Sequence, residues 1–157
     1  MTPGFRDRVS SWIEQLHDET TELFTALDRG GSFREDSWER PGGGGGVSRV
    51  LADGATFEQA GVNRSAVQGV LEPALAQRIG ACFSVMEPLS FFVTGLSLVV
   101  HPRSPMVPTV HLNVRYFEIV RSTGEAVDAW FGGGTDLTPT YPFPEDATHF
   151  HRTLKAV

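Results

Sequence analysis

Between Thr109 and Phe117 the chain reads TVHLNVRYF, an alternation that only a half-buried β-strand satisfies. Val110, Leu112, Val114 and Tyr116 face one way, and His111, Asn113, Arg115 and Phe117 face the other, because successive strand residues point to opposite sides. Such a strand requires neighbours, and the flanking sequence supplies two. FFVTGLSLVVHP, residues 91–102, is apolar on both faces, as a central strand of a sheet is. Pro102, Pro105 and Pro108 then exclude regular structure from the link. RSTGE, 121–125, is a turn, and AVDAWF, 126–131, returns as a strand. An antiparallel sheet is therefore expected.

Phe5, Val9, Trp12, Ile13, Leu16, Leu23, Phe24 and Leu27 recur at three- and four-residue steps, one face of an amphipathic helix. Pro3 suits its first turn, and Gly30-Gly31 ends it. Five glycines, 42–46, are expected to hold neither a helix nor a good strand. SRVL and ATFEQA flank Asp53-Gly54, which reads as a hairpin. Residues 61–90 read as loop and short helix. Pro144 opens a last helix, PEDATHFHRTLKAV, with Ala147, Phe150, Leu154 and Val157 on its apolar side. The expected fold class is α+β, an antiparallel β-sheet flanked by helices, in a single domain over residues 1–157.

With 13 basic and 19 acidic residues the net charge is −6, which argues against nucleic acid as a partner. A few arginines can still hold an anionic ligand. Cys82 is the single cysteine, so the chain forms no internal disulfide. No apolar run of membrane-spanning length occurs, nor a signal-peptide pattern, and a reducing cytoplasmic setting is expected.

The chemistry gathers around WFGGGTDLTPTYPF, residues 130–143. A hairpin about Thr123 places Arg115 opposite Phe131 and carries the glycines and Asp136 beside Asn113 and His111. A second hairpin about the proline-rich link places Ser97 opposite Asn113. Opposed residues share a face, so Ser97, His101, His111, Asn113 and Arg115 form a polar face. The glycines are expected to end the strand and to deliver Asp136 from an adjoining loop. A phosphate loop is disfavoured, since neither glycine stretch matches G-x-x-x-x-G-K-[ST] or G-x-G-x-x-G before a helix. On the last helix His151 flanks the apolar stripe and reaches the sheet, while His149 faces away. His101, His111 and His151 lack a short diagnostic metal spacing, and a metal-dependent oxygenase using them is a further alternative.

EDSWERPGGGGGVSRVL, FEQAGVNRS, TGLSLVVHPRSPMVPTVHLNVRYFE and AWFGGGTDLTPTYPFPEDATHFHRTLK together resemble the oxygen-dependent coproporphyrinogen III oxidase family. The family's usual Trp-Trp before Phe-Gly-Gly-Gly is here Ala129-Trp130. The resemblance implies a flat antiparallel sheet covered by helices, in a homodimer. It implies oxidative decarboxylation of two propionates of coproporphyrinogen III to vinyl groups, with dioxygen as acceptor and no organic cofactor. By the same resemblance His111 is a proton donor, Asp136 meets the pyrrole N–H groups, and Ser97, Asn113 and Arg115 contact substrate. His101, His111 and His151 match positions proposed for a divalent metal. Family members are longer, which implies that this chain is an N-terminal portion. A catalytically inactive tetrapyrrole-binding fragment is the alternative.

Overall fold

A computed structural model describes residues 4–79 and 88–157. Pro3 and Cys82 lie outside the described residues. The element order is α1 (Phe5–Asp28), β1 (Arg34–Glu39), β2 (Gly44–Ala52), β3 (Phe57–Val70), α2 (Pro73–Arg78), β4 (Ser90–Pro102), β5 (Thr109–Val120), β6 (Ala126–Thr138) and α3 (Pro144–Lys155). The six strands form one antiparallel sheet in chain order. The α+β expectation is met.

One face of the sheet carries α1. Val9 and Ile13 of the helix pack on Leu51, Ala60, Val62, Leu96, Leu98, Val100 and Tyr116, the alternate residues of β2 to β5. Ile13 is 1% exposed, and burying such a side chain contributes about 1.5–3 kcal/mol. Only part of the helical stripe is covered: Phe5, Trp12, Leu23 and Leu27 remain exposed. On the opposite face, Leu71, Leu89, Phe91 and Ile119 form a smaller cluster against α2, at one end of the sheet. Beyond that cluster the face carries Ser97, His111, Asn113, Arg115 and Asp136 beside the aromatic side chains of Phe117 and Trp130.

One carboxylate ties the helix to the β2–β3 hairpin. Asp28, the last residue of α1, is fully buried. It accepts backbone N–H bonds from Gly31 (2.6 Å), Ala55 (2.9 Å), Thr56 (2.9 Å) and Phe57 (2.8 Å). These donors, the Phe57 amide foremost, hold its pKa below the usual aspartate value. A Cβ at Gly31 or Gly54 would collide with the carboxylate, so both glycines are explained by its approach. Asp53 adopts φ 55° in this hairpin, a conformation Asp tolerates.

Three expectations about strands are corrected. Gly44 to Gly46 do belong to a strand, β2, paired on both sides with β1 and β3. Their missing side chains make room: a Cβ on Gly46 would lie 2.5 Å from the Trp38 indole. Residues 61–70, read as loop, continue β3, because the ladder to both neighbours overrides a polar, glycine-containing sequence. Finally, β6 does not stop at its glycines but runs through them to Thr138.

Candidate active site

Strands β4, β5 and β6 set the site. Ser97 pairs with Asn113, as expected from the sequence. The β5–β6 pairing differs by one residue: Arg115 lies opposite Gly132, not Phe131. The cause is an irregularity between Ile119 and Val120. Pairing near the turn follows the simple hairpin count, and one extra β6 residue there shifts everything beyond it. The shift matters chemically, because it places Asp136 directly opposite His111 and on the same face. Asp136 is thus fixed by a strand, not by a loop.

The open face therefore carries Ser97, His111, Asn113, Arg115 and Asp136 together. His111 Nδ1 and Asp136 Oδ2 are 3.0 Å apart. With the proton on Nδ1, the imidazole donates to the carboxylate and Nε2 carries the ring's lone pair. The other carboxylate oxygen, Oδ1, accepts from the Thr138 hydroxyl at 3.4 Å. Both partners of the pair are partly solvated, at 40% and 55% side-chain exposure. Arg115 lies across Gly95, where a Cβ would come within 2.8 Å of the arginine Cγ. Thr138 and Gly95 are not among the residues that the sequence reading assigns to the site. Each has a local signal, two residues beyond the acid and inside the TGLS stretch respectively.

Two hollows adjoin these residues. One, of about 350 Å³, is lined by Val93, Asn113, Arg115, Phe117, Trp130 and Gly132 to Gly134. The other, of about 290 Å³, lies between Asp136, the Pro139–Phe143 segment and α3, and His151 lines it. His151 thus reaches the neighbourhood of Asp136, as the helical wheel indicates, and His149 does not line it. A larger apolar hollow of about 430 Å³ includes Trp12 and Phe131 and contains no titratable group.

The three histidines do not converge. Among the described residues no three His, Cys, Asp or Glu side chains stand close enough to share a metal ion. His101 Nδ1 faces the Thr109 hydroxyl at 3.4 Å, and His111 Nδ1 is engaged by Asp136. As placed, the set His101, His111 and His151 does not fit a metal centre.

Residues 8–157 match the family model for coproporphyrinogen III oxidase. The chain belongs to the coproporphyrinogen III oxidase family. It is 48% identical over 157 residues to an oxygen-dependent coproporphyrinogen-III oxidase of Drosophila melanogaster, covering 98% of this chain and 40% of that protein. It is 53% identical over 150 residues to the enzyme of the same name from Synechococcus sp., covering 94% of this chain and 38% of that protein. A chloroplastic coproporphyrinogen-III oxidase 2 of Arabidopsis thaliana is 45% identical over 151 residues, covering 93% and 65% respectively. The chain spans about 40% of the length of the first two of these curated relatives. The family's Trp-Trp departure, Ala129, pairs with Glu118 on the face opposite the open one, so it does not alter the polar face. None of the described helices is long and apolar enough to cross a membrane.

The two histidine environments differ enough to test. If the open face is the site, alanine at His111 is expected to cost at least about 100-fold in turnover of the full-length protein, the usual scale of a lost acid–base group. Alanine at His149, exposed on α3, is expected to leave the rate within about twofold, since surface changes away from a site act weakly. Parallel assays of the two variants decide it; equal losses would contradict the assignment of the open face as the site.

Proposed function

We propose that this chain supplies the substrate face of an oxygen-dependent coproporphyrinogen oxidase. The reaction is oxidative decarboxylation of two propionates of coproporphyrinogen III to vinyl groups, giving protoporphyrinogen IX. The observation that carries the reading is the 3.0 Å His111–Asp136 pair on the same strand face as Asn113 and Arg115. The names of the relatives support the substrate and the oxidant.

The residue types suit the chemistry. Pyrrole N–H groups are donors, and a carboxylate offers two acceptor oxygens. Asp136 therefore receives them, and removing an N–H proton raises the electron density of the ring. Arg115 presents a planar fork to a propionate, and Ser97 and Asn113 add neutral hydrogen bonds. For each propionate, one C–H bond on the carbon next to the ring and the bond to the carboxylate break. The pair from the latter closes the vinyl double bond, and the carboxylate leaves as carbon dioxide. The two electrons of the C–H bond pass to dioxygen, which takes two protons and leaves as hydrogen peroxide. One proton comes from the broken C–H bond; His111, protonated, supplies the other.

The test is conversion of coproporphyrinogen III under air, followed as protoporphyrin fluorescence after oxidation of the product. Turnover lost when dioxygen is removed supports the reading. Tetrapyrrole binding with no turnover would instead reduce the function of this chain to binding. A narrower test addresses Arg115. Arg115→Lys keeps the charge but replaces a bidentate fork with a point charge. Affinity for coproporphyrin III is expected to fall roughly tenfold, equivalent to about 1.4 kcal/mol. Unchanged affinity would make Arg115 a surface ion-pair residue.

A further inference from the structure

The open face carries an aromatic row that none of the site assignments uses. Phe91 stacks on Phe117, with ring centroids 5.8 Å apart and planes within 18°. Phe117 stacks on Trp130 at 4.7 Å, also at 18°. The rings come from β4, β5 and β6 and end at Trp130, on the edge strand. Trp130 keeps 37% of its surface exposed, although one indole face covers Phe117. It lines the same 350 Å³ hollow as Arg115 and Asn113. The next two same-face positions on β6 are Gly132 and Gly134, where an added Cβ would meet nothing within 4 Å. No β6 side chain therefore stands between the indole and Asp136 on this face.

We propose that Trp130, braced by Phe117, is the wall against which one pyrrole ring of the tetrapyrrole packs while Arg115 holds that ring's propionate. This rests on the reading of the open face as the substrate face and adds a positioning residue to it. The chemistry fits: an indole edge is electropositive and a pyrrole face is electron-rich, so an edge-to-face contact is attractive. Bracing by Phe117 means that little side-chain entropy is lost when the ligand arrives. A hollow with a carboxylate-binding fork on one side and an aromatic wall on the other orients the ring, because each contact constrains a different part of it. Its neighbour Phe131 points to the other face, where it packs on Phe5 and Tyr116.

The experiment titrates the chain with coproporphyrin III and follows the porphyrin's absorption. Trp130→Leu is expected to bind about tenfold more weakly, within the range measured for losing an aromatic stacking platform. Trp130→Phe should stay within about threefold, and Phe131→Leu should match the wild type. Hydroxyl-radical footprinting of the wild type is the second measurement. Bound coproporphyrin should protect Trp130 and leave Trp12, exposed on α1 at the other side of the sheet, as reactive as before. If the wild type binds and Trp130→Leu binds equally well, or if Trp130 is unprotected, the proposal is overturned and the functional reading stands. Equal losses in Phe131→Leu would overturn it too, since the effect would belong to the strand and not to the face. A wild-type chain that does not bind coproporphyrin III overturns both. Should Trp130→Leu fail to fold, the footprint alone decides.

Discussion

Supplied with the rest of the family's length, the face proposed above is expected to lose about 10²–10⁴-fold in the rate of propionate removal on Asp136→Asn, the range for removing a positioned acid–base group. The fold should be untouched. Asp136 is on an exposed stretch of β6, its strand ladder uses backbone groups only, and asparagine occupies nearly the same volume. What changes is chemical. An amide cannot accept a proton from a pyrrole N–H. Nor does it offer His111 Nδ1 the same charged acceptor that now lies 3.0 Å away. The loss should sit in kcat more than in KM, because a proton acceptor acts in the transition state while Arg115 and Asn113 still bind the ground state. The measurement is steady-state turnover of coproporphyrinogen III beside a thermal melt. Near wild-type kcat in a folded variant would remove Asp136 from the mechanism.

Asp28→Ala is expected to have an effect as large on stability, with no direct contribution to the chemistry. Removing its carboxylate leaves the amides of Gly31, Ala55, Thr56 and Phe57 without their acceptor, at the junction of α1 and the β2–β3 hairpin. The Phe57 amide among them is buried, and an orphaned buried donor is among the few causes of severe destabilisation. The carboxylate also gives stability a sign with pH. Its pKa in the folded state is depressed, so the unfolded chain takes up the proton first as pH falls. The stabilisation is therefore fully present above the ordinary aspartate value and is lost as pH falls through the folded one. His17 acts in the same direction at higher pH. Burial lowers its pKa, and its Nε2 is 3.1 Å from the Val62 carbonyl while Nδ1 is buried and finds no partner among the described residues. Below the ordinary histidine value the unfolded state binds the proton, and stability declines. Thermal melts from pH 7 to pH 3 should show two declining stretches. Asp28→Asn should lose most of the lower one; a variant with the wild-type profile would contradict the role of the carboxylate.

Periodicity by itself determined the long helix, strands β4 and β5, and which side of β5 is polar. Those features depend on local spacing, since apolar residues at steps of two or of three and four commit a segment to burying one side. The α+β class and the Ser97–Asn113 pairing followed from counting a hairpin about the proline-rich link, a count that a one-residue slip would have overturned. The motifs by themselves carry the resemblance to the family. Tertiary structure decided the rest. Glycines 44–46 and 132–134 lie in strands because neighbouring strands satisfy their backbone groups, and no local propensity records that. The same holds for residues 61–70, whose polar sequence is a strand only between β2 and β4. The register of β6 turned on one irregular residue beside the turn, invisible to any count along the chain, and it alone set Asp136 opposite His111. The His101–His111–His151 set could be written from sequence, but three side chains share an ion only if three separate elements bring them within bonding distance, and here they do not. Spacing fixes which way a side chain points; only packing and pairing between distant segments fix what it meets.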